Sequence, residues 1–312
     1  MSTRFAAVDC GTNSIRLLVA EAGPDGRLVE VDRRLEMVRL GQGVDATGEL
    51  HPDALARTFA ACEQFAELLD QHGVAPERLR FVATSAARDA RNGEQLFAGV
   101  RERLGVEAEV VTGSEEALLS YAGAVSGIAA AEEPVLVVDV GGGSTELVLG
   151  ERGRILAGTS LDIGSVRLRE RLLRGDPPSE AEVLATVDHV DAQLDRCGVP
   201  LERARTWVGV AGTMTTLSAA YQGLPRYDRE RVHGSTVPRE ELRLLCTSMV
   251  QRSVRQLRDI PSMHPMRADV ISAGCVIVER IAARVGAPEL VVSETDILDG
   301  IVLERISQEA RR

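Results

Sequence analysis

The stretch that decides the fold is VLVVDVGGGSTE (residues 135–146), an apolar run that ends in a carboxylate and opens into glycines and hydroxyls. A second stretch with the same order, FAAVDCGTNS (residues 5–14), lies near the start of the chain. A buried strand followed by such a turn offers backbone N–H groups and hydroxyls to a phosphate. The Asp at its end suits a hard cation that accompanies the phosphate. The two stretches therefore predict two related lobes that hold one phosphorylated ligand between them.

The composition is that of a globular protein large enough for two domains. The 312 residues are 44% hydrophobic and 27% charged. Aromatic residues make up only 3%, which disfavours stacking platforms for single-stranded nucleic acid. The net charge of −11 disfavours a partner held by a general basic field, so we expect no nucleic-acid partner. A polyanionic substrate must then be bound by local arginines, by a metal ion or by backbone amides.

No segment predicts export or membrane insertion. The first residues lead into a strand ending at Asp9 without an apolar leader. No run of about 18 apolar residues lacks a charge, so we expect no membrane partner. The five cysteines are scattered and none are spaced as Cys-x-x-Cys, which argues against a disulfide framework or a zinc site. We expect a cytoplasmic protein with reduced thiols.

The predicted elements follow one order twice. The first half has strands at 5–9, 14–21 and 27–40 (with a turn at 24–26), a helix at 52–73, a strand at 80–84, a helix at 93–104, a strand at 107–111 and a helix capped by Ser114. The second half has strands at 135–139 and 145–149 and a third after residue 154, helices at 163–173 and 179–196, a strand at 207–210 and two long helical segments near the C-terminus. This β-β-β-α-β-α order predicts an α/β protein with mixed sheets flanked by helices.

Five segments resemble the exopolyphosphatase and guanosine-pentaphosphate phosphohydrolase family, in the same order and over nearly the whole chain. They are DCGTNSIRLLV (9–19), ATSAARDARN (83–92), GSEEA (113–117), VDVGGGSTELV (138–148) and GVAGT (209–213). The resemblance implies the actin-like fold of sugar kinases and heat-shock chaperone ATPases, with two duplicated ribonuclease-H-like lobes around a cleft. We expect residues 1–124 with 299–312 to form the N-terminal lobe and residues 125–298 the C-terminal lobe.

The chain departs from the family pattern at three places. Cys10 stands where an aliphatic residue is commoner. Ile297-Leu298-Asp299-Gly300 replaces a commoner Leu-Arg-Glu-Gly, so a role of that arginine is not carried over. With Arg312 as the last residue, we expect this chain to lack the added C-terminal helical module of the longer members.

Three carboxylates are candidate metal ligands. Asp139 and Glu146 flank the glycine-rich turn, and a hairpin there would direct both toward one phosphate; Asp9 is the related residue of the first turn. Mg²⁺ needs only one or two carboxylates together with phosphate oxygens and water. We expect Mg²⁺, with Mn²⁺ as an alternative, and a monovalent cation is a candidate additional cofactor. The competing interpretation is that Asp139 merely ends a strand and Glu146 is an exposed residue of the next.

Glu115 and Glu116 lie where a helix is predicted to begin. Acids in a first turn offset the positive end of the helix dipole, which is a sufficient structural reason for them. The resemblance implies more for the second of the pair, because in the family this glutamate activates the attacking water. Glu116 is therefore the candidate general base and Glu115 its structural neighbour.

The candidate phosphate ligands come from three loops and two arginines. Alone, the triple glycine is a weak signal, because it matches neither a Walker A sequence nor a dinucleotide fingerprint. Arg16 and Arg88 lie inside matched segments, and a guanidinium binds phosphate oxygens in a bidentate manner; Arg91, Arg167 and Arg267 are weaker candidates, and His233 is the one histidine of interest. The predicted ligands are Gly11, Thr12, Asn13, Ser14, Arg16, Arg88, Gly141, Gly142, Gly143, Ser144, Thr145, Gly212 and Thr213.

The sequence thus indicates a hydrolase that removes the terminal phosphate of a phosphoanhydride chain. The resemblance leaves two substrates open, inorganic polyphosphate and guanosine pentaphosphate. The acidic composition and the expected lack of the C-terminal module disfavour a long basic channel, so we favour exopolyphosphatase activity on short chains. A kinase, and a non-catalytic sensor of polyphosphate or a guanosine alarmone, are the alternatives from other classes. A homodimer is what the resemblance implies for assembly.

Overall fold

The computed structural model describes residues 3–23, 27–128, 131–309 and 311. The chain divides into two compact units, Met1–Ser126 with Asp296–Arg312 and Gly127–Thr295. The turn predicted at residues 24–26 lies outside the described residues. Among the described residues, no helix has the length and apolar character that crossing a bilayer requires.

The first unit contains one five-stranded sheet with the order β3-β2-β1-β4-β5. The first three strands are antiparallel neighbours, whereas β4 and β5 join in parallel. Its strands are β1 (Arg4–Cys10), β2 (Ile15–Ala22), β3 (Leu28–Glu36), β4 (Leu79–Ala83) and β5 (Ala108–Val110). Its helices are α1 (Val44–Thr47), α2 (Pro52–Gln71), α3 (Ser85–Asp89), α4 (Gly93–Leu104), α5 (Gly113–Gly127) and α13 (Ile297–Glu309), and Pro76–Arg78 forms a 3₁₀ turn.

Strand β1 contains a continuous apolar run, Phe5–Val8, and helices cover both faces of the sheet at this strand. Ala6, Val8 and Cys10 belong to the cluster that includes residues of α2 and α4. Phe5 and Ala7 point to the other face, where they share a cluster with apolar residues of α13. Successive side chains of a strand alternate between faces, so burial on both sides requires a continuous apolar run. The C-terminal helix therefore belongs to the first unit.

The second unit contains a six-stranded sheet with the order β10-β11-β9-β6-β7-β8. Its central hairpin, β6–β7, is antiparallel, and β9 lies parallel to β6. The strands are β6 (Val135–Val140), β7 (Thr145–Glu151), β8 (Arg154–Leu161), β9 (Thr206–Val210), β10 (Thr236–Pro238) and β11 (Glu289–Val292). The helices are α6 (Ser165–Arg171), α7 (Glu180–Leu194), α8 (Ala211–Tyr221), α9 (Arg229–Val232), α10 (Arg239–Val250), α11 (Val254–Arg258) and α12 (Ile271–Ala282), with a 3₁₀ turn at Leu201–Arg203.

The core of the second unit surrounds Trp207, which is fully buried on β9. Helix α12 packs its apolar residues into the same cluster, including Ile277 and Ile281. The cluster runs from β6 and β7 to α10 and α12, so the hairpin that carries the glycine-rich turn rests on a large apolar core.

The predicted order of elements is confirmed, and the differences have local causes. The third strand ends at Glu36 rather than residue 40, because Val38 and Arg39 donate their N–H groups to Asn13 O at 3.1 and 2.9 Å instead of continuing the sheet. The prediction that Ser114 caps α5 is wrong. The helix begins at Gly113, and the Thr112 hydroxyl accepts from Glu115 N at 3.2 Å. Strands β10 and β11 and the short helices α1, α3, α9 and α11 were not predicted.

Candidate active site

The turn between β1 and β2 is a closed loop held by its own backbone. Gly11 N donates to Ser14 O at 2.9 Å. Gly41 N donates to Thr12 O at 2.8 Å, which ties the turn to the segment after β3. The Thr12 hydroxyl lies 2.7 Å from the Ser85 hydroxyl at the start of α3. The turn is therefore anchored by distant parts of its unit, and Thr12 and Ser85 both lie where β1 and β4 end.

Asp9 and Arg16 form an ion pair at the base of this turn. They are direct partners across β1 and β2, and Arg16 donates from Nε and Nη2 to Asp9 Oδ2 at 3.1 and 2.6 Å. Burial raises the pKa of Asp9, and the Arg16 guanidinium offsets only part of this effect. Two residues predicted to bind metal and phosphate thus bind each other.

Glu116 is buried in the first turn of α5, only 8% exposed. Arg88, at the end of α3, donates to Glu116 Oε2 at 3.3 Å and to Val111 O at 2.9 Å. The neighbouring Glu115 points elsewhere and accepts from Arg80 at 2.8 Å. The structure therefore separates the two glutamates, with one buried beside a candidate phosphate ligand and the other in a partly exposed ion pair.

The glycine-rich turn between β6 and β7 has the same closure as the first turn. Gly141 N donates to Ser144 O at 3.0 Å. The start of α6 packs directly against it, since Ser165 N donates to Gly141 O at 2.9 Å and Val166 N to Gly142 O at 2.8 Å. A Cβ at Gly164 would lie 2.4 Å from Gly142 O, so glycine is required there for the close approach. The two similar stretches of sequence, residues 5–14 and 135–146, therefore form turns with the same backbone hydrogen bond.

Asp139 and Glu146 are direct cross-strand partners at the base of this turn. Both are buried, with exposed fractions of 8% and 2%. Ser160, the partner of Glu146 on β8, donates its hydroxyl to Glu146 Oε1 at 2.7 Å. Like charges placed directly opposite each other destabilise a sheet, so two buried carboxylates in this register suit a cation between or beside them. Their oxygen donors fit Mg²⁺.

Within the described residues, no group of three or more His, Cys, Asp or Glu side chains is arranged to hold a metal ion. Mg²⁺ usually retains several waters and binds one or two carboxylates together with substrate phosphate.

The third predicted loop connects β9 to α8. Ala211 has a left-handed φ of 65°, which costs a non-glycine residue about 1 kcal/mol. A Cβ at Gly212 would lie 1.8 Å from Arg267 Nη1, and this same nitrogen donates to Thr216 Oγ1 at 3.2 Å. Thr213 is buried. A strained loop at a helix N-terminus beside a guanidinium is suited to an anion.

The weaker candidates fall into different places. Arg167 donates from Nε to Gly143 O at 2.7 Å, so it lies against the glycine-rich turn. Arg91 forms an exposed ion pair with Glu49. His233 accepts from Glu294 N through Nδ1 at 3.1 Å, which is a structural contact.

Sequence reasoning missed three residues that contact the candidates. Ser85 touches Thr12, Ser160 touches Glu146, and Asp296 binds Arg16. Ser85 lies inside a segment already matched to the family and could have been found there. Ser160 and Asp296 carry no signal in the sequence, because their contacts depend on strand register and on the return of α13.

A model of the Ppx/GppA phosphatase family matches residues 18–309. Exopolyphosphatase 2 of Mycobacterium tuberculosis is 50% identical over 315 aligned positions, which cover 96% of this chain and 98% of that protein. The chain belongs to the Ppx/GppA phosphatase family. The predicted family and the predicted hydrolase class are thereby confirmed.

Solved structures agree with this family assignment. The Ppx/GppA family member of Aquifex aeolicus has a TM-score of 0.83 and 30% identity, with 99% of each chain covered. An exopolyphosphatase from Cytophaga hutchinsonii has a TM-score of 0.89 and 25% identity, with 98% of each chain covered. The predicted α/β, actin-like fold is confirmed for this Ppx/GppA protein.

Proposed function

We propose that this chain is a Mg²⁺-dependent exopolyphosphatase that releases orthophosphate from the end of short inorganic polyphosphate chains. The observation that carries the proposal is the buried Asp139–Glu146 pair at the base of the glycine-rich turn between β6 and β7, a turn suited to binding phosphate. Phosphoanhydride hydrolysis requires positive charge beside the transferred group, and this pair suits the cation that provides it. Polyphosphate as the substrate is supported by the similarity to Exopolyphosphatase 2 of Mycobacterium tuberculosis.

Asp139 and Glu146 would hold the metal ion, and Ser160 orients Glu146 through its hydroxyl. When bound, Mg²⁺ supplies positive charge that offsets the charge developing on the phosphoryl oxygens. Mn²⁺ has the same preference for oxygen ligands and is the alternative ion. A monovalent cation stays a prediction. Asp9 is the less suitable metal ligand, because its carboxylate accepts two hydrogen bonds from Arg16.

The phosphate groups would be bound by the three loops and by arginines. The turns at Gly11–Ser14 and Gly141–Thr145 present backbone N–H groups and hydroxyls, and Gly212 and Thr213 begin a helix. Arg88 adds a guanidinium beside Glu116. Arg16 is assigned to support the first turn, since it is paired with Asp9.

Glu116 is assigned as the general base. Its carboxylate would accept a proton from the attacking water while the water oxygen bonds to the terminal phosphorus. The bond from phosphorus to the bridging oxygen breaks, and the shortened chain leaves with the electron pair. Burial of Glu116 and its contact with Arg88 hold the carboxylate in one orientation, which is what a positioned base requires.

A cytoplasmic location, a homodimer and the preference for short chains are parts of the same proposal. Short chains are supported by the net charge of −11, which provides no general attraction for a long polyanion.

The experiment is a substrate panel assayed with Mg²⁺: polyphosphates of defined short and long length, guanosine pentaphosphate and ATP. We expect the highest kcat/KM for phosphate release from short polyphosphate. Faster release from long chains would overturn the length preference, and no release from any polyphosphate would overturn the proposed activity. Tight polyphosphate binding without turnover would favour a sensor.

Guanosine pentaphosphate is the second candidate substrate, and one relative supports it. The guanosine-5'-triphosphate,3'-diphosphate pyrophosphatase of Photobacterium profundum is 27% identical over 99% of this chain, but the match spans only 60% of that protein. Release from the pentaphosphate alone would keep the proposed chemistry and change the substrate.

A further inference from the structure

The bases of the two repeated turns carry different charges. At the β6–β7 turn Glu146 lies opposite Asp139, and this acidic pair suits a cation. At the β1–β2 turn the corresponding position is occupied by a cation of the chain itself, Arg16 opposite Asp9. An ion pair therefore lies at the base of the Gly11–Ser14 turn, and the conformation of the turn depends on the position of the Arg16 guanidinium.

Arg16 is also bound from outside the hairpin. Its Nη1 donates to Asp296 Oδ2, while Nε and Nη2 bind Asp9. Asp296 lies immediately before α13, and its Oδ1 accepts from Leu298 N at 3.1 Å. A guanidinium held by carboxylates of two different elements can shift only if one of those elements shifts.

A second guanidinium, that of Arg33, lies near Asp296 and binds its neighbour Asp299. Arg33 on β3 donates from Nη2 to both oxygens of Asp299 at 2.9 Å, and its Nη1 lies 4.0 Å from Asp296 Oδ1. Asp299 Oδ2 also accepts from Asp296 N at 2.9 Å. Asp9, Asp296 and Asp299 are all buried, with exposed fractions of 4 to 5%. Arg33 also donates from Nε to Glu30 Oε2 at 2.8 Å. Three buried carboxylates, the more exposed Glu30 and two guanidinium groups thus form one network from β3 to the turn.

We propose that Arg33 and Asp299 are positioning residues for the Gly11–Ser14 turn, acting through Asp296. The inference rests on the proposed function to the extent that this turn binds the phosphate to be released. Without Arg33, the buried carboxylates of Asp296 and Asp299 lose the guanidinium between them. Leaving buried charges without their partner is destabilising. Asp296 must then move or bind a proton, and Arg16 loses its fixed position beneath the turn.

The experiment compares Arg33→Met and Arg33→Lys with a matched control, Arg103→Met. Arg103 lies in the same unit and is likewise bound to carboxylates, those of Glu63 and Glu102 at 3.0 and 3.2 Å. None of its recorded hydrogen bonds or ion pairs within the described residues reaches the turn. For Arg33→Met we expect kcat/KM on polyphosphate to fall at least tenfold, mainly in kcat, because small displacements of positioning groups strongly reduce rate. Arg33→Lys should recover part of the loss. Arg103→Met should lower Tm and leave kcat/KM unchanged.

The route through Asp296 is tested by combining Arg33→Met with Asp296→Asn. If Arg33 acts through Asp296, the double variant should lose no more activity than Asp296→Asn alone. Fully additive losses in kcat/KM would overturn this route, and an Arg33→Met enzyme with lowered Tm but wild-type kcat/KM would overturn the positioning role.

A measurement independent of turnover separates this inference from the proposed activity. Hydrogen–deuterium exchange of a peptide covering residues 10–16 should be faster in Arg33→Met than in the wild type, with residues 140–146 unchanged as the internal reference. If the wild type releases no phosphate but this exchange difference is present, the proposed activity fails and the positioning role stands. Unchanged exchange at residues 10–16 would overturn the positioning role whatever the activity.

Discussion

Glu115 and Glu116 are neighbours in one helical turn, yet their surroundings differ. Arg88 lies beside Glu116, whereas Arg80 binds Glu115 together with Glu109 and Glu304. The sequence alone could not separate them, because two acids in a first turn are equally well explained by the helix dipole. Burial of only one of them supports the resemblance that selected Glu116.

Glu116→Gln is expected to reduce kcat by about two orders of magnitude or more, since general base catalysis contributes roughly 10²–10⁴-fold. Polyphosphate binding should be retained, because the amide has nearly the same shape. Phosphate release and equilibrium binding of the substrate measure the two effects. Glu115→Gln is the matched control and should keep near-normal kcat; equal losses in both variants would contradict the assignment of the base.

Glu146→Gln is expected to raise the Mg²⁺ concentration needed for half-maximal activity at least tenfold. The amide removes one of two buried carboxylates, and an uncharged oxygen binds a hard cation less strongly. Activity titrated against Mg²⁺ measures the change. Glu151, at the end of the same strand, provides the control variant Glu151→Gln, and an unchanged Mg²⁺ requirement in Glu146→Gln would remove Glu146 from the proposed metal site.

At the scale of the element, the glycine-rich turn depends on the helix that follows β8. The N–H groups of α6 bind the carbonyls of Gly141 and Gly142, so the turn and the helix are one structural unit. Gly164 permits this approach, because a side chain there would collide with the turn backbone.

Gly164→Ala is expected to destabilise the protein by about 1–3 kcal/mol, the usual cost of overpacking, and to lower kcat/KM by displacing the turn. A Cβ there would lie 2.4 Å from Gly142 O, and backbone cannot move aside cheaply. Gly158→Ala on β8 is the control, because its nearest neighbour would be a Val148 methyl at an ordinary 3.6 Å. Urea unfolding and steady-state kinetics report both effects, and wild-type kcat/KM in Gly164→Ala would show that the turn tolerates the shift.

The start of α7 supplies a prediction about pH. Glu182 accepts hydrogen bonds from Ser179 N, Gly175 N and Arg174 N at 2.8, 2.9 and 3.0 Å. Led by the bond from Ser179, these contacts lower the pKa of Glu182 from 4.5 to about 2. Because the folded-state value lies below the ordinary one, the carboxylate stabilises the fold above pH 4.5 and this contribution disappears as the pH falls toward 2.

Glu182→Gln should therefore be less stable than the wild type at pH 7, with a difference that narrows below pH 4.5. Urea unfolding at a series of pH values measures it. Glu180→Gln, an exposed change in the same first turn, should show a much smaller difference. If the difference in the free energy of unfolding between wild type and Glu182→Gln stayed constant as the pH fell toward 2, the proposed link to the pKa of Glu182 would be wrong.

At the scale of the whole molecule, each unit has its own hydrophobic core. The clusters around β1 and α13 belong to the first unit, and the cluster around Trp207 belongs to the second. Trp207 is the single tryptophan of the chain, so its fluorescence reports on the second unit.

Phe65→Ala removes a fully buried ring from the core of the first unit, and such changes cost about 3–5 kcal/mol. We expect the urea midpoint measured by far-UV circular dichroism to fall, while the Trp207 fluorescence midpoint changes much less, because separate cores support separate transitions. Leu217→Ala, in the core of the second unit, is the control that should move the fluorescence midpoint. Equal shifts of both signals in Phe65→Ala would show that the chain unfolds as one unit.

Much of the fold could be predicted from the sequence, because the signals that specify it are local. Strand β1 reads as a strand from its apolar run, and the Gly141–Thr145 turn reads as a turn from its glycines. Pro52 correctly marks the first turn of α2. These features depend on backbone preferences and on alternation along a few residues, so the α/β order and the two turns followed directly.

The cap of α5 and the end of β3 could not be predicted in the same way. Thr112 replaces Ser114 as the capping residue because the helix starts two residues earlier than that prediction implies. Strand β3 stops early because the following residues bind the first turn. In both cases the outcome depends on competition between neighbouring hydrogen bonds, which a pattern of residue types does not resolve.

The sequence by itself determined the family, through five matched segments, and the repeated strand-and-turn units, each of which is encoded within a few consecutive residues. It also supplied Asp9, Glu116, Asp139 and Glu146 as candidate site residues, with Glu116 chosen over Glu115 by the resemblance. Only the tertiary structure decided their partners. Arg16 binds Asp296 across 280 positions, and Ser160 reaches Glu146 through strand register. Such contacts depend on how distant elements pack against each other. The packing is specified by residues distributed over the whole chain, so neither contact residue alone reveals it.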